Sequence, residues 1–277
     1  MRKVYSHLLV ILGLSLGSGC AQNTAYRRSA VVPTPIGEPL ASPMKKDWQF
    51  SGGISVTDTL TDEVGTDGDP AMHAAQLMFH GIARRAISKY FNIGAQAFWS
   101  NRAFSQKTTV GTLDVPDDNV WGAGLNAALQ IPIAQSGWTF GTALAGTIVI
   151  APWAVWQLQD DTTTPATYSL NDSGHDGLLL YRLSISMNYD FSEAFAMFGG
   201  LSLQNSASNI GFGNAPQDGS TLTFTRHGVV PFIGVNYHFI PERFAQLQYY
   251  VPLGYPQFGG LYENAFGGFS LNIGAEI

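Results

Sequence analysis

The side chains best suited to chemistry in this chain are carboxylates and histidines in its long polar connections. In DTLTDEVGTDGD (58–69), Asp58, Asp62, Glu63, Asp67 and Asp69 offer the oxygen ligands that a hard divalent cation such as Ca²⁺ or Mg²⁺ takes. Their spacing follows no defined calcium loop, so a solvated acidic loop stands beside the cation site as the plainer reading. Asp160, Asp161, His175 and Asp176 supply the residue types of a rim protease, in which a positioned base activates water. A deacylase acting at a lipid face would need a serine beside His73. The neighbours expected at the level of His73 are Val56, Asp58, Trp99 and Asn101, with no serine among them. His80 and His238 are expected to be hydrogen-bonded structural residues. No zinc spacing, phosphate loop or nucleotide fingerprint appears, so no enzyme and no cofactor are expected.

The elements that must position these groups are ten amphipathic segments between residue 47 and residue 277. Long connections fall at 57–71, 101–119, 151–177, 206–220 and 252–264, and short ones at 85–89, 132–137, 190–194 and 240–243. Within each segment one parity is apolar and the other small or polar, the period of a strand between two environments. Leu179, Tyr181, Leu183, Ile185, Met187, Tyr189 and Phe191 share one face; Arg182, Ser184, Ser186, Asn188 and Asp190 share the other. The polar parity is rich in Gly, Ala, Ser, Asn and Gln, a composition suited to a confined lumen. Gly122, Gly124, Ala128, Gly141, Ala143 and Ala145 are small inward residues that could leave a narrow cavity. Gln96, Asn126, Gln130 and Asn236 flank it, and Arg182 and Asp190 either bind solute or pair with each other, since a buried charge needs a partner. The apolar phase changes between Leu222 and Ile233, which predicts a β-bulge near His227–Gly228, with Pro231 at the irregularity.

Only 12 % of the 277 residues are charged, against about a quarter in a soluble domain. No stretch reaches the roughly 20 apolar residues of a membrane helix, because Pro152 interrupts the run 146–156. A closed barrel is then the remaining way to satisfy every backbone group in lipid. Aromatic residues lie near the expected strand ends, as in the girdles of such barrels. On these features residues 47–277 resemble bacterial outer-membrane β-barrel proteins. The resemblance implies an all-β fold, a transmembrane antiparallel up-and-down β-barrel of about ten strands, with long loops outside and tight turns in the periplasm. It also implies insertion by the outer-membrane machinery, which commonly reads a terminal aromatic; here the last strand, GGFSLNIGAEI, ends in Ile277.

Residues 1–20 read as a signal peptide, with Arg2 and Lys3 before the apolar run LLVILGLSL. Cys20, the single cysteine, ends LGSGC and resembles the acylated cysteine of a bacterial lipoprotein; ordinary cleavage near Ala21 is the alternative. Residues 21–46, with Pro33, Pro35, Pro39 and Pro43, are expected to be an extended periplasmic tether. The predicted external loops hold 14 of the 20 acidic residues, while Lys45, Lys46, Arg84, Arg85, Lys89 and Arg243 gather at the other end. Nothing basic tracks a phosphate backbone, so nucleic acid is not an expected partner. Outer-membrane lipid is expected, with divalent cations at the external loops as a second possibility. The expected role is a non-catalytic surface-interaction or envelope-structural one. The alternative is a narrow porin-like channel for small solutes, and an outer-membrane hydrolase ranks third.

Overall fold

The computed structural model describes residues 26–32, 44–58, 71–74, 77–101, 119–160, 167–210, 222–251 and 267–277. Their strands are β1 (Tyr26–Val32), β2 (Trp48–Asp58), β3 (Ala71–Ala74), β4 (Leu77–Ala86), β5 (Phe91–Asn101) and β6 (Val120–Pro132). β7 (Trp138–Asp160), β8 (Thr167–Asp190), β9 (Phe195–Ile210), β10 (Leu222–Ile240), β11 (Arg243–Tyr250) and β12 (Gly267–Glu276) complete the set. Ten strands close into one antiparallel ring in the order β2, β4, β5, β6, β7, β8, β9, β10, β11, β12, and β12 pairs back onto β2. Each of the ten amphipathic segments is one strand of that ring.

The polarity of the ring is inverted relative to a soluble barrel. On β8, Tyr181, Leu183, Ile185 and Met187 are 37–47 % exposed, whereas Arg182, Ser184, Ser186 and Asn188 between them are 1–7 % exposed. Apolar residues outside, polar residues inside and a fully paired backbone are what hydrocarbon requires of a spanning sheet. Stacked rings edge the apolar band at both ends. Trp48 stacks on Phe50 at 5.8 Å, and Trp138, Tyr189 and Phe191 form a chain by the short turns. Phe79, Trp99 and Trp121 form a row at the long-connection end, with centroids 5.5 and 6.0 Å apart. Between Trp121 and Ile131 on β6, about 3.3 Å per residue and a tilt of about 40° give a band roughly 25 Å tall.

Local chemistry explains the short turns. Ser88 and Ser192 occupy the same place in ISKYF and FSEAF, where the hydroxyl oxygen accepts from the N–H two and three residues on. In the turn 133–137, Gly137 has φ +72°, a conformation that glycine adopts without a Cβ penalty, and its carbonyl accepts from Asp190 N–H at 3.0 Å.

Three features differ from the sequence expectations. The connection expected at 151–177 is mostly strand: β7 and β8 run on beyond Ile150 and Gly177, and residues 151–160 and 167–176 form a hairpin about 33 Å long. Pro152 fits there because β6 leaves that edge of β7 at Ile150 and β1 joins it only at Trp153. The second difference is the bulge expected near His227–Gly228. The β9–β10 register runs unbroken from Leu222 to Tyr237, and the irregularity lies instead between His238 and Ile240. Pro231 is tolerated because its carbonyl, and hence its missing N–H, faces β11 where that strand ends; the carbonyl accepts from Val251 N–H at 3.0 Å. Third, part of the expected tether is a strand: β1 pairs antiparallel with β7 and parallel with β3, at the end of the barrel away from the short turns.

The ring also dictates which glycines are replaceable. A Cβ on lumen-facing Gly124 would strike the Gly146 carbonyl, a backbone atom that cannot swing away, whereas a Cβ on outward Gly146 meets nothing within 4 Å. Gly124→Ala is therefore expected to destabilise by about 1–3 kcal/mol and Gly146→Ala to stay near neutral. Urea unfolding in lipid vesicles measures both; equal costs would refute the inward placement of Gly124.

Candidate functional site: the barrel lumen

Three adjacent strands build a polar cluster at the short-turn end. Gln49 on β2 is paired to Arg84 on β4 and Glu276 on β12, and all three side chains are buried. Arg84 donates to Gln49 Oε1 through Nε at 2.7 Å and also through Nη2. Gln49 Nε2 donates to Glu276 Oε1 at 2.8 Å, and the Lys45 backbone N–H donates to Glu276 Oε2 at 3.1 Å. In the sequence Arg84 groups with the basic residues of the short-turn end. Its parity opposite outward Ala83 is the signal that turns it inward, next to outward Arg85, whose guanidinium lies 5.3 Å from the Trp48 ring centroid.

Higher in the lumen, His80 bridges Ser55 and Asn272. Nδ1 lies 3.5 Å from Ser55 Oγ and Nε2 is bonded to Asn272 Oδ1, across Gly53 on the strand between them. Gly53 is needed for that approach, since a Cβ there would sit 2.8 Å from His80 Nε2. Serine, histidine and asparagine in contact invite comparison with a hydrolytic triad, but Ser55 directs its hydroxyl to Ser270 Oγ at 3.0 Å rather than to His80. His238 packs against Phe244 with centroids 5.9 Å apart.

Of the lumen residues singled out in the sequence, Gln96, Asn126, Gln130, Arg182 and Asn236 are buried on the inner face, and Asp190 is exposed beside a short turn. Gln96 Nε2 donates to Thr147 Oγ1 at 2.7 Å over Gly124, and Arg182 Nη2 reaches Gln96 Oε1 at 3.4 Å. Gln130 Oε1 accepts from Asn92 Nδ2 at 3.4 Å. Arg182 and Asp190 do not pair. They stand about 26 Å apart along β8, and Asp190 Oδ1 accepts instead from Asn188 Nδ2 at 2.9 Å. Among the described residues neither amide atom of Asn126 has a hydrogen-bond partner.

Inward aromatics are what sequence reasoning missed. Phe98 lies over Gly122, Phe198 over Gly234, Phe232 over Gly200, Phe244 over Gly274 and Tyr250 over Gly268, each ring on the glycine paired to it across the ladder. A ring laid over a glycine shields backbone that has no side chain of its own. Inward parity opposite a glycine is the signal, but it becomes readable only once the register is known.

The remaining candidates are only partly within the described residues. His175 faces Pro152 in the hairpin ladder, whereas Asp160 pairs with Thr167, about 26 Å away. His73 lies in β3 and pairs with Val31, which is not among the neighbours expected for it. Asp58 ends β2, and its side chain, with Asp62, Glu63, Asp67, Asp69, Asp161 and Cys20, lies outside the described residues. Among the described residues no group of three His, Cys, Asp or Glu side chains could hold a metal ion.

The closed ring with its apolar exterior and polar, ring-packed interior defines a transmembrane β-barrel of the bacterial outer-membrane kind. No family model and no curated protein matches the chain. Among solved structures it is similar to the KdgM porin, at 5% identity and TM-score 0.38 over 83% of this chain and 99% of that one. It is also similar to the COG4313 outer membrane channel from Pseudomonas putida F1, at 10% identity and TM-score 0.41 over 87% and 99%. The beta domain of the Bordetella autotransporter Brka matches at 8% identity and TM-score 0.42 over 84% and 100%. At such identity and overlap the likeness concerns barrel architecture alone.

Proposed function

We propose that this protein is a non-catalytic outer-membrane barrel with a surface-interaction or envelope-structural role. Its short turns would lie in the periplasm and its β7–β8 hairpin would stand outside. The observation that carries this reading is the occupied lumen. Side chains from Gln49 to Glu276 are buried there, and Phe198, Val230, Phe232 and Tyr250 form an apolar cluster where a conducting pore would need water. Ten strands also sit near the closed end of the size range, since about eight are filled by their own side chains and sixteen or more leave a channel. The hairpin supports the interaction half of the proposal. It adds about 33 Å of paired strand beyond the rim, far more than closing the barrel requires.

Planar-bilayer recording tests the proposal against a narrow channel for small solutes. The full chain is expected to insert without steady discrete openings; reproducible single-channel steps would replace the structural reading with the porin-like one. Cys20 acylation belongs to the same proposal. Mass spectrometry of the mature N-terminus is expected to find a lipidated Cys20, and an unmodified N-terminus at or after Ala21 would remove the lipid and leave the barrel standing.

A further inference from the structure

The lipid-facing wall carries a shallow groove that the packing of the ring does not require. It crosses β2, β4, β5 and β6, where the ladder aligns Gly52, Gly81, Ala97 and Ala123, with Ala83 and Ala95 paired one row nearer the short turns. Ile273 and Ile148 close its flanks, and the row Phe79, Trp99 and Trp121 walls its far end. The groove measures about 940 Å³, within the roughly 300–1,000 Å³ of small-molecule sites. Inward Gly53, Gly94 and Gly124 are fixed by their surroundings, because an added Cβ would come 2.1–2.4 Å from a backbone carbonyl. Outward Gly52 and Gly81 are not: a Cβ there meets only a carbonyl oxygen at 3.8 and 3.9 Å, and neither residue has a positive φ. Glycine weakens a strand interior and marks a place where a ligand or another backbone comes close.

We propose that the occupant is an anionic phospholipid, with an acyl chain in the groove and its phosphate at the short-turn rim directly below. Charge selects the headgroup. Arg85 points outward two residues below Ala83, between Trp48 and Ile93, with its guanidinium 5.3 Å from the Trp48 ring centroid. In the turn that follows, Lys89 Nζ lies 4.6 Å from the Tyr90 ring. Cations held on rings at the edge of an apolar band suit a phosphate carried on a hydrocarbon tail. The carboxylates of this end stand mostly elsewhere: Asp190 and Glu193 at the β8–β9 turn, Glu242 at the β10–β11 turn and Glu276 in the lumen, with Asp47 beside Trp48. Depth selects the tail. From Arg85 to Phe79, six residues at about 3.3 Å and a tilt of about 40° give roughly 15 Å, half of a hydrocarbon core about 30 Å thick. That is the reach of a chain from one leaflet. A second copy fits worse, because two copies in one membrane meet about a two-fold axis along its normal, groove against groove, and enclose a void. The site rests on the membrane-spanning fold alone, whichever end faces the periplasm and whether or not the lumen conducts.

The test refolds the full chain in phosphatidylcholine vesicles holding a trace of phosphatidylglycerol or phosphatidylcholine with a diazirine on one acyl chain. Photo-cross-links are mapped by peptide mass. The phosphatidylglycerol probe is expected to concentrate on residues 81–97 and 123–125 and to exceed the phosphatidylcholine probe there about tenfold or more, since each basic side chain favours an anionic lipid about fivefold. Arg85→Met combined with Lys89→Met should abolish that preference and leave the groove labelled equally by both probes. Gly81→Leu combined with Ala97→Leu should remove the groove labelling of both, with heat-modifiable migration showing that each variant is folded. Even labelling around the ring, or equal capture of the two probes by the unaltered protein, overturns the proposal. A dimer in native mass spectrometry that dissociates on Ala97→Leu would assign the groove to a second copy instead.

Discussion

Leu144→Arg is expected to destabilise the folded protein by about 2–4 kcal/mol, and Leu170→Arg to leave stability within about 0.5 kcal/mol of wild type. Both leucines are outward and exposed, at 57 % and 44 %. They differ in what surrounds them. Leu144 is paired to Ala127 and Leu183 between the two aromatic belts, near the middle of the band, so its replacement puts a guanidinium in hydrocarbon. Leu170 pairs with Trp156 in the projecting hairpin, beyond the rim, where an arginine stays hydrated. Urea unfolding of the two variants in lipid vesicles measures the difference. A water-soluble barrel of the same shape would show small effects at both positions, so equal costs would refute the membrane assignment.

The ten ring strands were legible because each separates lipid from lumen, and that difference prints a period of two on residues such as 181–188. The turns were legible through their length. The hairpin extension was not, because Ala151, Trp153, Ala154 and Val155 are all buried, at both parities. Once both faces of a strand are covered, alternation disappears and a short apolar run no longer identifies its structure. β1 and β3 are short and take their partners from far along the chain, so no local pattern announces them. Within the candidate site, parity placed Gln96, Asn126, Gln130, Arg182 and Asn236 inward. It carried no information about height, which is why Arg182 and Asp190 were read as a possible pair although strand length keeps them apart. The small residues Gly122 and Gly141 suggested empty space. The structure instead lays Phe98 over Gly122, and that pairing depends on a register that no single segment contains.

The largest effect is expected at a residue that the rim hides. Arg84→Met should cost about 3–5 kcal/mol, because it removes the guanidinium from a buried cluster and leaves the Glu276 carboxylate with only Gln49 Nε2 and the Lys45 N–H as partners. Arg84 and Glu276 are connected through Gln49, whose Oε1 accepts from Arg84 and whose Nε2 donates to Glu276, so loss of the guanidinium also strands the Gln49 oxygen. The neighbouring Arg85→Met changes the same side chain one parity away. Arg85 faces outward over Trp48 at the rim, and its loss should cost about 0.5–1 kcal/mol, the range of an exposed cation–π contact. The double variant Arg84→Met with Glu276→Leu should be more stable than Arg84→Met alone, since replacing both charges with apolar groups removes the burial penalty along with the attraction. Unfolding free energies of the four proteins separate the possibilities. Similar costs at 84 and 85 would mean that Arg84 is not inside, and a double variant no better than the single one would mean that Glu276 is not its charge partner.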